Sequence, residues 1–118
     1  MLSVIYQNVS KAVPSGTQLD REAFSIGLNK GLDDLHVNPS AAAMRLKILA
    51  TAMQIILFSA FERNERAYAY ESLCLAKINS LNAVFSSMGL PLFSCDQVAQ
   101  DHKAEVTSAI KELSMTNE

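Results

Sequence analysis

The sequence predicts an all-α protein, a compact helical bundle of four or five helices in a single domain covering residues 1–118. Its 118 residues suit one domain. Between Pro39 and Gly89 there is no further glycine or proline, and apolar residues recur there at steps of three and four, which is typical of packed helices. Hydrophobic residues make up 49% and charged residues only 19%, so we expect some apolar surface to face another chain.

The first elements are short. Residues 2–13 have apolar side chains at helical spacing and predict a helix, with a strand as the alternative for the first few residues. A break at Pro14–Gly16 follows, after which Thr17 is expected to open the second helix. Gly27 and Gly31 each weaken that helix by about 1 kcal/mol relative to alanine. Their spacing of four indicates either a close helix crossing or a kinked helix.

The middle of the chain predicts the longest helices. Asn38 is a suitable N-cap, and Pro39 suits the first helical position. The stretch Ile48–Phe61 is apolar nearly all round and is therefore expected at the centre of the bundle. Glu62–Arg66 is polar on every side, which favours two helices with a break there. The alternative is one very long helix spanning residues 39–88, roughly 70 Å in length.

The end of this region contains a helix-stop signal. With Gly89 in the left-handed position, Leu90 and Phe85 would form the apolar contact of a Schellman ending. Ser94 is then expected to cap a last helix that runs to Leu113. Residues after Leu113 are expected to fray.

Motifs for catalysis are absent from the sequence. It contains no glycine-rich phosphate loop, no serine nucleophile elbow and no helical zinc-protease motif. Cys74 and Cys95 are interpreted as small core residues, because structural zinc sites use closely spaced ligand pairs that are missing here. We therefore predict a protein that is not an enzyme and has no catalytic residues, no cofactor and no metal site.

One segment suggests DNA binding. In Gly31–Leu49, a small residue is followed by a turn with apolar residues, and Ser40 opens a second helix. This pattern, about a sixth of the chain, resembles the helix-turn-helix of DNA-binding transcriptional regulators. The resemblance implies DNA contacts by Ser40, Arg45 and Lys47. The net charge of -2 argues against nucleic acid, so a DNA-binding regulator is kept as the alternative function.

A second segment, between Phe61 and Tyr70, combines aromatic residues with arginines, which are enriched in protein interfaces. It is a candidate contact surface, and the alternative is a solvated helix junction with half-buried tyrosines. The candidate protein-binding residues are Ile55, Phe58, Phe61, Arg63, Arg66, Tyr68 and Tyr70.

These observations predict a small cytoplasmic protein–protein interaction module, acting as an adaptor, a chaperone-like protein or an assembly component. It would bury apolar helix faces against itself, as a homodimer, or against another protein. Met1–Val13 lacks the basic residues and cleavage site of a signal peptide. The longest apolar stretch is shorter than the roughly 20 residues that span a membrane. We therefore expect no membrane association.

Overall fold

The computed structural model describes residues 9, 11, 13, 14, 16–60 and 67–116. Within these residues the chain forms an all-α helical bundle with one small sheet, which confirms the predicted fold class. The elements, in chain order, are β1 (Thr17–Leu19), α1 (Arg21–Asp34), α2 (Pro39–Ala60), α3 (Ala67–Ser87), α4 (Cys95–Asp101), α5 (Lys103–Leu113) and β2 (Ser114–Thr116).

Helix α2 lies at the centre, as its all-round apolar character predicts. It packs against α1, α3, α4, α5 and β1. Ala50 and Ile56 on this helix are completely buried, and so is Thr51. The Thr51 hydroxyl donates a hydrogen bond to the Lys47 carbonyl at 2.8 Å, which satisfies the polar group inside the apolar core.

By length and composition, α2 also passes the test for a membrane-spanning helix. The window Pro39–Ser59 has a mean hydropathy of 1.5, and it is the one candidate span within the described residues. However, 67% of that window is buried inside the protein. A core helix of a globular fold has these same properties.

The long middle region forms two helices rather than one. Helix α2 ends at Ala60, α3 begins at Ala67, and the two helices pack against each other. The greatest extent of the molecule is 39 Å, whereas one helix over residues 39–88 would measure roughly 70 Å. The predicted break at residues 62–66 lies outside the described residues.

The two glycines of α1 mark a close crossing with α2. A Cβ atom added at Gly31 would lie 2.6 Å from Leu46 Cδ2, and one at Gly27 would lie 3.2 Å from Leu49 Cδ1. Leu46 is completely buried. Of the two interpretations of the glycine pair, the structure therefore supports the close crossing.

The start of the second helix differs from the prediction. Thr17 does not open a helix but begins β1, and α1 starts at Arg21. The helix is capped by Asp20, whose Oδ1 accepts a hydrogen bond from the Ala23 backbone N–H at 3.0 Å. Gly16, with φ of +82°, turns the chain into the strand, and Thr17 N–H donates to the Pro14 carbonyl.

The residues after Leu113 also differ from the prediction. They form β2, which pairs antiparallel with β1 and places Thr116 opposite Thr17 and Ser114 opposite Leu19. A further hydrogen bond runs from the Asp20 N–H to the Leu113 carbonyl at 2.6 Å. This pairing with a distant segment of the chain holds residues that would otherwise fray.

The C-terminal helical region contains two helices where one was expected. The break falls at His102, whose φ of -131° and ψ of 43° are not helical. The predicted signals before it are confirmed. Gly89 has φ of +71°, and the Leu90 N–H donates to the Phe85 carbonyl at 2.8 Å, as in a Schellman ending. Ser94 Oγ accepts from the Gln97 N–H at 3.3 Å and caps α4.

Candidate protein-interaction surfaces

The structure describes only part of the predicted contact surface. Ile55 is 1% exposed and belongs to the core, while Phe58 is half-buried on the same helix. Phe61, Arg63 and Arg66 lie outside the described residues. The side chains of Tyr68 and Tyr70, near the beginning of α3, lie outside the described part as well.

Directly after these tyrosines, α3 exposes a long face on which Lys77, at one edge, is the one charged residue between Ser72 and Ser87. Leu73 is 61% exposed and Leu75 is 47% exposed, on either side of a strip of small residues. We name this face the α3 outer surface; its residues, all exposed, are Ser72, Leu73, Leu75, Ala76, Asn79, Ser80, Ala83 and Ser87. The opposite face carries buried residues at the predicted steps of three and four, namely Cys74, Ile78, Leu81 and Phe85.

The α3 outer surface has few polar or charged groups that depend on hydrogen bonds to water. From Ser72 to Cys95, Lys77 is the only charged residue. The Ser80 hydroxyl donates to the Ala76 carbonyl at 2.9 Å, and the Ser87 hydroxyl donates to the Val84 carbonyl at 2.7 Å. Because these hydroxyl protons already have partners within the helix, covering the face with another protein would leave few polar groups unpaired.

A second exposed feature is an open groove of about 500 Å³ between α2 and α5, which we name the α2–α5 groove. Its apolar lining comes mainly from Met44, Ile48 and Leu49 of α2 and from Ala109 of α5. Met44 and Ile48 are half-buried, whereas Leu49 and Ala109 are buried. The groove therefore offers aliphatic contact area to a ligand.

The rim of the α2–α5 groove is charged. Glu105, Ser108 and Glu112 line its α5 side, and all three are exposed. Their spacing of three and four residues places them in one row along the helix. Arg45 lines the α2 side, but its guanidinium is paired with Asp34 at 2.8 Å. The uncompensated charge of the rim is consequently negative.

The residues of the helix-turn-helix hypothesis are partly engaged within the molecule. Ser40 is exposed in the first turn of α2. Arg45 forms the ion pair with Asp34, and Lys47 Nζ lies 5.8 Å from the centre of the Phe85 ring, within range of a cation–π contact. Phosphate binding would have to compete with both interactions.

Groups for metal or nucleophilic chemistry are sparse in the described residues. Within them, no cluster of three or more His, Cys, Asp or Glu side chains could hold a metal ion. Cys74 and Cys95 are both buried, as their interpretation as core residues predicts.

No protein-family model, no curated protein and no solved structure matches this chain. The case for a function therefore depends on the surfaces of the molecule itself.

Neither exposed surface was predicted from the sequence. The apolar steps of three and four predict that one face of α3 is buried, but they do not predict what the opposite face contacts. The lack of charge after Ser72 was a visible signal for the α3 outer surface. The α2–α5 groove had no such signal, because Ile48 and Glu105 are brought together only by the packing of two distant helices.

Proposed function

We propose that the protein is a small helical protein–protein interaction module that forms a homodimer by packing two copies of the α3 outer surface together. The observation that supports this proposal is the exposure of Leu73 and Leu75 beside an uncharged strip of small residues. A solvated helix face normally carries charged side chains.

A second copy of the chain is the occupant that suits this surface. Because the face is almost uncharged, two copies meet with little like-charge repulsion. Small residues such as Ala76, Ser80 and Ala83 let two helices approach closely. Leu73 and Leu75, which lie at one end of the strip, then gain apolar contacts that solvent does not provide.

The proposed module would work in the cytoplasm as an adaptor, a chaperone-like protein or an assembly component. It would act by holding protein surfaces together, without a cofactor and without catalysis.

The test is the molar mass in solution, measured by size-exclusion chromatography with light scattering over a range of concentrations. We expect the natural chain to be a dimer and the variant Ala76→Glu with Ala83→Glu to be a monomer with unchanged helical circular dichroism. Ser25→Glu adds a charge at an exposed position of α1 and should leave the dimer intact. A monomeric natural chain, or a double variant that stays dimeric, contradicts the proposal.

A further inference from the structure

The α2–α5 groove is an open groove of about 500 Å³ with an apolar lining and an acidic rim. We infer that it binds an amphipathic helix of a partner protein, with an apolar stripe flanked by lysine or arginine side chains. This inference rests on the proposed function as a protein-interaction module, but it concerns a surface separate from α3.

The apolar lining of the groove is complementary to an apolar stripe on the partner helix. Met44 and Ile48 are half-buried beside the buried Leu49, so a ligand in the groove can cover their remaining exposed area. Methionine is unbranched and flexible, which suits a surface that adapts to the side chains of a bound helix. Amphipathic helices also commonly bind with their apolar face in a hydrophobic groove.

The acidic rim of the groove is complementary to lysine or arginine side chains on the partner helix. Glu105 and Glu112 are seven residues apart, which corresponds to about 10.5 Å along α5. This distance matches two turns of a bound helix, so lysines or arginines two turns apart on the partner would reach both carboxylates. Within the described residues, neither carboxylate is paired with a lysine or an arginine; Glu105 has only His102 nearby, at 3.8 Å.

The α2 side of the rim does not reduce the preference of the groove for a basic partner. Arg45 is the cation that lines the groove, and its charge is neutralised by Asp34. Among the described residues that line the groove, an acidic partner would therefore meet two carboxylates and no cation that lacks an ion pair.

The probe for this site is a fluorescent amphipathic peptide of about 15 residues, long enough to form a helix, with leucines in one stripe and lysines along both edges. Two comparison peptides carry glutamates in place of the lysines, or the same residues in an order that breaks the stripe. Binding to the full chain is followed by fluorescence anisotropy at several salt concentrations. We expect binding of the basic amphipathic peptide alone, and weaker binding at high salt.

Matched variants locate the site. Glu112→Lys should weaken binding about fivefold, whereas Asp33→Lys, the same charge change at an exposed position outside the groove, should have little effect. Glu105→Lys with Glu112→Lys should reverse the preference toward the acidic peptide. Equal binding of all three peptides, equal effects of Glu112→Lys and Asp33→Lys, or no binding at all overturns the inference.

The dimer and the groove can be judged separately. The variant Ala76→Glu with Ala83→Glu should still bind the basic peptide, since the groove lies between α2 and α5. If the natural chain is dimeric but does not bind the peptide, the groove inference is wrong and the proposed function stands.

Discussion

At the scale of single residues, the contact between Gly31 and Leu46 is the most restrictive in the α1–α2 crossing. A methyl group at Gly31 would lie 2.6 Å from Leu46 Cδ2 and 2.9 Å from Leu46 Cγ. Because Leu46 is completely buried, it has no open space into which it could move. The close crossing therefore favours glycine at a position where helix propensity alone would favour alanine.

Gly31→Ala should lower the free energy of unfolding by up to about 2 kcal/mol, because overpacking costs about 1–3 kcal/mol and the gain in helix propensity recovers about 1 kcal/mol. Gly27→Ala is the control. Its new methyl group would meet Leu49, which borders the open groove, so its stability should be unchanged or raised by up to about 1 kcal/mol. Urea denaturation measures both, and a stabilised Gly31→Ala variant would contradict this account of the crossing.

The side chain of Asn82 fixes the segment before α4. Its amide nitrogen donates to the Phe93 carbonyl at 3.1 Å, and its oxygen accepts from the Phe93 N–H at 3.0 Å. Asn82→Ala should cost about 1–3 kcal/mol, since it leaves two partly buried backbone groups without partners. Asn29→Ala, the same change at an exposed position of α1, should change stability by less than about 0.5 kcal/mol. Thermal or urea unfolding distinguishes them; equal losses would mean that the Asn82 bonds contribute nothing.

At the scale of elements, local signals predicted the end of α3 and the beginning of α4. The Schellman ending at Gly89 and the cap at Ser94 follow from residues that are neighbours in sequence, so the sequence contains all the information needed. The two strands could not be predicted in this way. Each has three residues, and Thr17–Leu19 becomes a strand only because Ser114–Thr116 lies beside it.

The helix end at Gly89 allows a direct test of backbone conformation. Gly89 has φ of +71°, and an added Cβ atom would meet nothing within 4 Å. Gly89→Ala should therefore cost about 1–2 kcal/mol through the left-handed conformation alone. Gly89→Asn should cost less, because asparagine tolerates this region better. Equal losses for alanine and asparagine, measured by chemical denaturation, would argue against a conformational cause.

At the scale of the whole molecule, α2 is the element on which the others depend. It contacts α1, α3, α4, α5 and β1, whereas the main packing partner of α3 within the described residues is α2. The sequence predicted this central position from the all-round apolar composition of the helix. It could not predict the α2–α5 groove, which is a consequence of how two helices pack and leave space between them.

This arrangement predicts unequal local stability. Backbone amides in the middle of α2, around Ala50–Ile56, should exchange with solvent only through global unfolding. Amides of α3 should exchange faster in a monomer, because the described part of the chain covers only one side of that helix. The difference in exchange rate between α2 and α3 is measured by native-state hydrogen exchange and NMR. The monomeric double variant, Ala76→Glu with Ala83→Glu, is used for this experiment. Slower exchange in α3 than in α2 would contradict it.

The pairing of β1 with β2 has a consequence for folding kinetics. Thr17 and Thr116 are opposite each other but roughly a hundred positions apart in the chain, so closing this loop carries a large entropic cost before any contact compensates for it. Contacts of such high sequence separation are expected to form after the rate-limiting step, once the local helices have assembled. A chain ending at Ser114 should consequently unfold faster and refold at nearly the natural rate in stopped-flow experiments, whereas a chain ending at Thr116 should match the natural protein in both rates. The small sheet would then form late in folding, and it would slow the unfolding of the bundle without changing the rate at which the bundle folds.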